Sequence, residues 1–89
     1  MSKEIPKSKY IEISKVIIKK LYKEGCWGKG SLYQDNLKDG FSQEDKGKVL
    51  EVANALVKQR ILGKKPKKYG FKYFLNAERK DKIEEIIFK

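Results

Sequence analysis

The segment Ile61-Leu62-Gly63-Lys64-Lys65-Pro66-Lys67-Lys68-Tyr69-Gly70-Phe71-Lys72-Tyr73-Phe74-Leu75 reads as a β-hairpin with a basic tip. Ile61 and Leu62 lead in, and Gly63 to Lys68 form the expected tip. Tyr69 to Leu75 return, with Tyr69, Phe71 and Tyr73 on one face and Gly70, Lys72 and Phe74 on the other. Pro66 at the tip forfeits no ladder hydrogen bond and discourages pairing with another strand. Between Lys58 and Lys72 stand seven cations (Lys58, Arg60, Lys64, Lys65, Lys67, Lys68, Lys72) and no Asp or Glu, so this stretch holds +7 of a formal net charge of +10. Residues 1–24 contribute +4, residues 25–57 contribute −1 and residues 73–89 contribute zero. Like charges crowded on one short segment repel, and a phosphate backbone, whose bound counterions they release, relieves that repulsion. A polyanion is therefore the expected partner, against the plainer reading of a solvated lysine-rich loop.

Upstream of the hairpin, Val49, Leu50, Val52, Ala53, Leu56 and Val57 make a wide apolar stripe at helical spacing, opposite Gly47, Glu51, Asn54 and Lys58. The helix is expected to start at Gln43, with Ser42 as its N-cap and Asp45 three positions on approximating a capping box, and to end near Arg60. Before it, Ser31 is expected to cap a short helix over Leu32 to Leu37, stopped by Asp39 and Gly40. Cys26, Trp27 and Gly28, set among glycines, suit a two- or three-residue strand. A first helix spans about Tyr10 to Glu24: Tyr10, Ile13, Val16, Ile17, Lys20 and Leu21 share a face, flanked by Ile11, Ile18 and Tyr22, and Gly25 ends it. Downstream, Asn76 caps a last helix, Ala77 to Phe88, with a narrow stripe of Ile83, Ile86 and Ile87.

Composition sets the class. The 89 residues suffice for one domain with a small core. Mean hydropathy is −0.70, and no apolar run exceeds three residues, as in Val16-Ile17-Ile18. A bilayer span needs about 20. Met1 to Lys9 lacks the apolar segment of a signal peptide, so a cytoplasmic protein without membrane association is expected. Cys26 is the one cysteine and histidine is absent, which excludes an intrachain disulfide and a zinc site built from several thiolates or imidazoles. Cys26 is expected to pack, and Trp27 to sit at the edge of the core. No cofactor and no enzymatic activity are expected: the usual general base is missing, and Gly25-Cys26-Trp27-Gly28-Lys29-Gly30 lacks the Gly-Lys-Ser/Thr ending of a phosphate loop.

The order helix, short strand, short helix, turn, longer helix, basic hairpin, helix resembles the winged helix-turn-helix family, with the length and lysine content of its small archaeal members. The resemblance is carried by Leu32 to Leu37, the Gly40-Phe41-Ser42 turn, the stripe Val49, Leu56 and Ile61, and the return strand Tyr69 to Leu75 followed by Asn76, and it covers about Tyr10 to Asn76. It implies an α+β fold: a three-helix core, a small antiparallel hairpin wing and an additional C-terminal helix. The chain would then divide into a basic arm (1–9), a winged-helix domain (10–76) and a C-terminal helix (77–89) used for packing or dimerisation. It further implies that Gln43 to Lys58 is a recognition helix for the major groove of duplex DNA and that the hairpin touches neighbouring phosphates or the minor groove. On the helix the candidates are Gln43, Lys46, Lys48, Asn54 and Lys58, since Asn or Gln suits adenine and Lys suits guanine. On the wing they are Lys64, Lys65, Lys67, Lys68 and Lys72, suited to phosphates.

Glu44 and Asp45 in the first turn of that helix favour its dipole and oppose phosphates. Glu44 also has Lys48 four residues on as an ion-pair partner. Transcription regulation through double-stranded DNA is the expected function. Two alternatives stay open: an RNA or single-strand binder that stacks bases on Tyr69, Phe71 and Tyr73, and a winged helix that binds a protein through Glu44, Asp45 and Glu51 within a larger assembly. A homodimer through the last helix is a further possibility.

Overall fold

Pro6 supplies a carbonyl and no donor, which suits the position before a helix: Tyr10 N–H binds its oxygen at 2.8 Å, and helix α1 runs from Lys7 to Lys23. The computed structural model describes residues 5–88. Of the expected basic arm, residues 1–4 lie outside the described residues, and Lys7, Ser8 and Lys9 belong to α1. At the other end Gly25 adopts φ +69°, which turns the chain so that its N–H meets the Tyr22 carbonyl at 3.1 Å and the Cys26 N–H meets the Leu21 carbonyl at 2.9 Å. Two carbonyls of the last turn are thereby satisfied, and Cys26 is carried into the core beside Leu21.

No strand forms at Cys26-Trp27-Gly28. Left-handed twists at Gly25 and Gly28 coil the segment, and only the Cys26 carbonyl joins the sheet, accepting Leu75 N–H at 2.7 Å. The first strand, β1, is instead Leu32–Tyr33, followed at once by helix α2, Gln34–Lys38, with Tyr33 rather than Ser31 at its N-cap. Leu32 and Tyr33 read as helical by their spacing, but pairing opposite Tyr73 and Lys72 claims them for the sheet. Helix α3 spans Gln43–Lys58, as its stripe requires, and Ser42 Oγ accepts Asp45 N–H at 3.3 Å. It closes as α1 does, with Arg60 N–H on Val57 and Ile61 N–H on Leu56, except that the left-handed residue here is Arg60 at φ +64°.

Strands β2, Leu62–Lys67, and β3, Gly70–Leu75, form the hairpin, with β3 central in an antiparallel sheet of order β1-β3-β2. The expected six-residue tip shrinks to Lys68 and Tyr69, because Lys64 to Lys67 pair with Tyr73 to Gly70. Pro66 therefore lies within a strand. Asn76 N–H binds the Ile61 carbonyl at 3.0 Å, and alternation from that bond puts Pro66 opposite Phe71 in a non-hydrogen-bonded pair on the edge strand, where a missing donor costs nothing. The face that turns to the core carries Leu62, Tyr73 and Leu75, whereas Tyr69 is in the turn and exposed.

The core closes between α1, α3, the sheet and helix α4, Lys80–Phe88, which follows a 3-10 turn over Ala77–Arg79. On α1 the buried residues are Ile13, Ser14, Ile17, Ile18 and Leu21, so the stripe is rotated toward Ser14 and Ile18, and Val16 and Ile11 face outward. Lys20 shares part of the apolar face because its ammonium reaches the carbonyls of Asn36 and Asp39 at the end of α2. Helix α4 folds back on α1 with Ile83 and Ile87 buried and Ile86 at the edge. Tyr22 hydroxyl donates to Glu84 Oε2 at 2.8 Å, which raises the pKa of the phenol, and its ring meets Trp27 and Phe88 edge-on. Among the described residues no helix is long and apolar enough to cross a membrane.

Asn76 ties three elements together. Its Oδ1 accepts Glu78 N–H at 3.1 Å, its Nδ2 donates to the Arg60 carbonyl at 2.7 Å, and its own N–H closes the sheet on Ile61. Replacing Asn76 by Ala removes a cap and a hydrogen bond, and the expected loss is about 2 kcal/mol of unfolding free energy, read as a lower urea midpoint at unchanged slope.

Candidate nucleic-acid interface

Alternation along the hairpin sorts its lysines between two faces. Lys64, Pro66, Phe71 and Tyr73 lie on the side that meets α3, and Gly63, Lys65, Lys67, Lys72 and Phe74 lie on the side away from it, together with Tyr33 of β1. Lys68 sits in the turn, its ammonium 5.6 Å from the Tyr69 ring centroid. The five expected wing residues therefore do not act as one cluster, although each is on or beside the hairpin.

On the α3 side the organising residue is Asn54. Its Oδ1 accepts Tyr73 hydroxyl at 2.9 Å and Lys64 ammonium at 3.2 Å, and Lys64 also stands 4.5 Å from the centroid of the Phe71 ring. Two donors on one oxygen fix the amide, leaving Nδ2 as the outward group. Bidentate adenine recognition requires the oxygen as acceptor for N6 and the nitrogen as donor to N7, so Asn54 in this setting offers only the donor half. Its first role is to lock the hairpin onto α3. Tyr73 is buried, and that burial raises the pKa of its phenol, so the hydroxyl stays a donor to Asn54.

Helical geometry separates the other α3 candidates. At about 100° per residue, Gln43, Gly47, Asn54 and Lys58 fall within about 60° of one another, whereas Lys46 and Lys48 are about 200° apart and flank that face on opposite sides. Gln43 and Lys58 are exposed. Lys48 is 3.9 Å from Asp45, whose other oxygen meets Lys9 of α1 at 3.4 Å, so Asp45 ties α3 to α1 rather than facing a ligand. The expected Glu44–Lys48 pair does not form; Lys48 pairs with Asp45 instead. By the same geometry Glu51 falls about 20° and Glu44 about 40° from Lys58, so both exposed carboxylates border the Lys58 edge of that face.

The outer face of the sheet is cationic. The Phe74 ring lies across β2 over Gly63, where an added Cβ would stand 2.5 Å from the ring and force it to shift. Lys65 extends over that ring, 5.5 Å from its centroid, and donates to the Gly28 carbonyl at 2.9 Å; Lys72 stands 4.7 Å from the Tyr33 centroid. Lys65 and Lys72 are directly opposite in the ladder, and the three strands contain no Asp or Glu. Sequence reading placed Lys65 and Lys72 in the basic run without seeing this pairing, which two-residue periodicity in the correct register would have revealed.

Cys26 is in the core; its burial, with Glu24 adding to it, raises the thiol pKa, as fits a packing residue. A cavity of about 330 Å³ lies away from the hairpin, where Tyr10 and Ser14 of α1 meet Gln59 and Ile86. Compared with family models, curated proteins and solved structures, the chain matches none.

The Asn54 junction has a measurable signature. Asn54→Ala leaves the buried Tyr73 hydroxyl without its acceptor and is expected to cost about 1–3 kcal/mol, while adding Tyr73→Phe to that variant costs little more. A double-mutant cycle by urea denaturation reads the coupling; additive losses would contradict the bond.

Proposed function

We propose that this chain is a winged helix-turn-helix protein that binds duplex DNA and acts in transcription regulation. The observation that supports this most is the state of the basic run: among the described residues the ion pairs engage Lys9, Lys38 and Lys48, and none of the seven cations from Lys58 to Lys72 has a carboxylate partner. Unpaired charge on a folded, hydrogen-bonded scaffold is suited to phosphate, whereas a solubility loop would need no ladder to hold it.

In this reading α1, α2 and α3 form the helical core, the hairpin is the wing, and α4 is the addition. The DNA-facing surface is the side where α3 and the wing meet: Gln43, Asn54 through Nδ2, and Lys58 from α3, then Lys64 and Lys68 from the hairpin. Lys64 and Asn54 are held by one another, so the wing presents its charge at a fixed distance from the helix face. Lys58, Lys64 and Lys68 serve backbone contacts; Gln43 and Asn54 are the groups able to address base edges. Tyr69 and Phe71, exposed at the hairpin, supply the specific reason to include a single strand as competitor.

The deciding experiment is fluorescence anisotropy of a random duplex and a single-stranded RNA of equal length at low and physiological salt. Tighter, steeply salt-dependent binding to the duplex is expected. In the triple variant Lys58→Ala, Lys64→Ala, Lys68→Ala, affinity should fall at least tenfold and the slope of log K against log salt should flatten by about 3, at about 0.9 per lost phosphate contact. Preference for the RNA would replace duplex DNA by a single strand as the ligand, and no binding to either would reject a nucleic-acid function.

A further inference from the structure

The wing contacts just assigned use the side of the hairpin that meets α3 and leave its outer face unspent. We infer that this outer face, Lys65, Lys67 and Lys72 over Tyr33 and Phe74, is a second phosphate-binding surface, on which a second duplex segment is held, so that one chain bridges two duplexes. This rests on the duplex-binding reading and extends it.

Three features carry the inference. Lys65 and Lys72 are cross-strand neighbours of like charge, an arrangement that destabilises a sheet unless an anion lies between or above the two ammoniums. No acid of the sheet offers itself, since β1, β2 and β3 contain none, and neither lysine is ion-paired among the described residues. The side chains are also laid down rather than free. Lys65 is held over Phe74 and on the Gly28 carbonyl, and Lys72 over Tyr33, so part of the rotamer entropy that a lysine loses on binding phosphate is already lost in the fold.

The same details select the backbone of a duplex over unpaired bases. A base stacks on an open ring face, and here Lys65 already stands over the Phe74 ring, which packs on Gly63, and Lys72 over the Tyr33 ring. What the surface presents outward is ammonium. The two faces of a β-ribbon point in opposite directions, so a duplex lying along α3 and the inner hairpin face cannot also cover Lys65 and Lys72.

The test uses two duplexes, one carrying a donor fluorophore and one an acceptor, mixed with the full chain, with light scattering of the protein alone to give its oligomeric state. Energy transfer between duplexes at a protein stoichiometry below one per duplex is expected from a monomeric chain. Lys72→Glu turns the like-charge pair into an opposite-charge pair, so it should fold at least as stably as the parent. It should lose most of the transfer while its affinity for a single duplex stays within about threefold. Lys65→Gln with Lys72→Gln should do the same without a new charge. Transfer that persists in both variants, an affinity for one duplex that falls as far as in the Lys58, Lys64, Lys68 triple variant, or wild-type protein that holds only one duplex would overturn the second surface while leaving the first intact. Absence of any duplex binding would remove both.

Discussion

Strand β3 is the constraint on which the other elements depend. It is paired on both edges, and its period of two sends Tyr73 and Leu75 inward while Lys72 and Phe74 face out. A slip of one residue would bury Lys72 and expel Tyr73, so the register is held by the cost of burying a charge as much as by the apolar gain. From that register the rest follows. Tyr73 reaches Asn54 and joins the sheet to α3; Leu75 N–H draws the Cys26 carbonyl, and with it the end of α1, to the sheet edge; Asn76 closes the far end on Arg60 and Ile61. Lysine-rich strands are tolerated because β2 is an edge strand, where charge also discourages pairing with another chain.

Much of this was legible in the residues. The three long helices have apolar stripes long enough to read, and α3 begins and ends where Ser42 and its stripe place it. Gly25 announced the end of α1. The matching turn after α3 uses Arg60, and nothing in an arginine announces a left-handed backbone. Strand β1 has two residues, too few for any period to show, and it takes its identity from β3 about 40 positions away in the chain. The hairpin was visible but its tip was drawn too long, since charge was read as loop; Lys64 to Lys67 are strand because they pair in register with Tyr73 to Gly70 of the central strand, whose Tyr73 is fixed in the core.

The candidate site divides along the same line. That the cations concentrate in one run follows from counting charge. Which lysines share a face does not, because it needs the register. Asn54 could be nominated as a polar residue on an exposed helix face, yet its double hydrogen bond depends on Lys64 and Tyr73, 10 and 19 residues on, and so is a product of tertiary packing. Lys46 and Lys48 were grouped with it by position in the chain, and helical geometry separates them. Asp45, an apparent obstacle to DNA on the sequence alone, is turned to Lys9 and Lys48.

What emerges is a hairpin that carries five lysines, none of them paired with a carboxylate among the described residues, anchored to a helix by one amide. The most direct measurement of whether that surface meets DNA is a titration of isotope-labelled protein with a short duplex, followed by the backbone amide shifts. Shifts that appear first at Gln43, Gly47, Asn54, Lys58, Lys64 and Lys68 are predicted, with α1 and α4 unmoved. Shifts confined to the α1–α4 side, or spectra that do not change at saturating duplex, would contradict it.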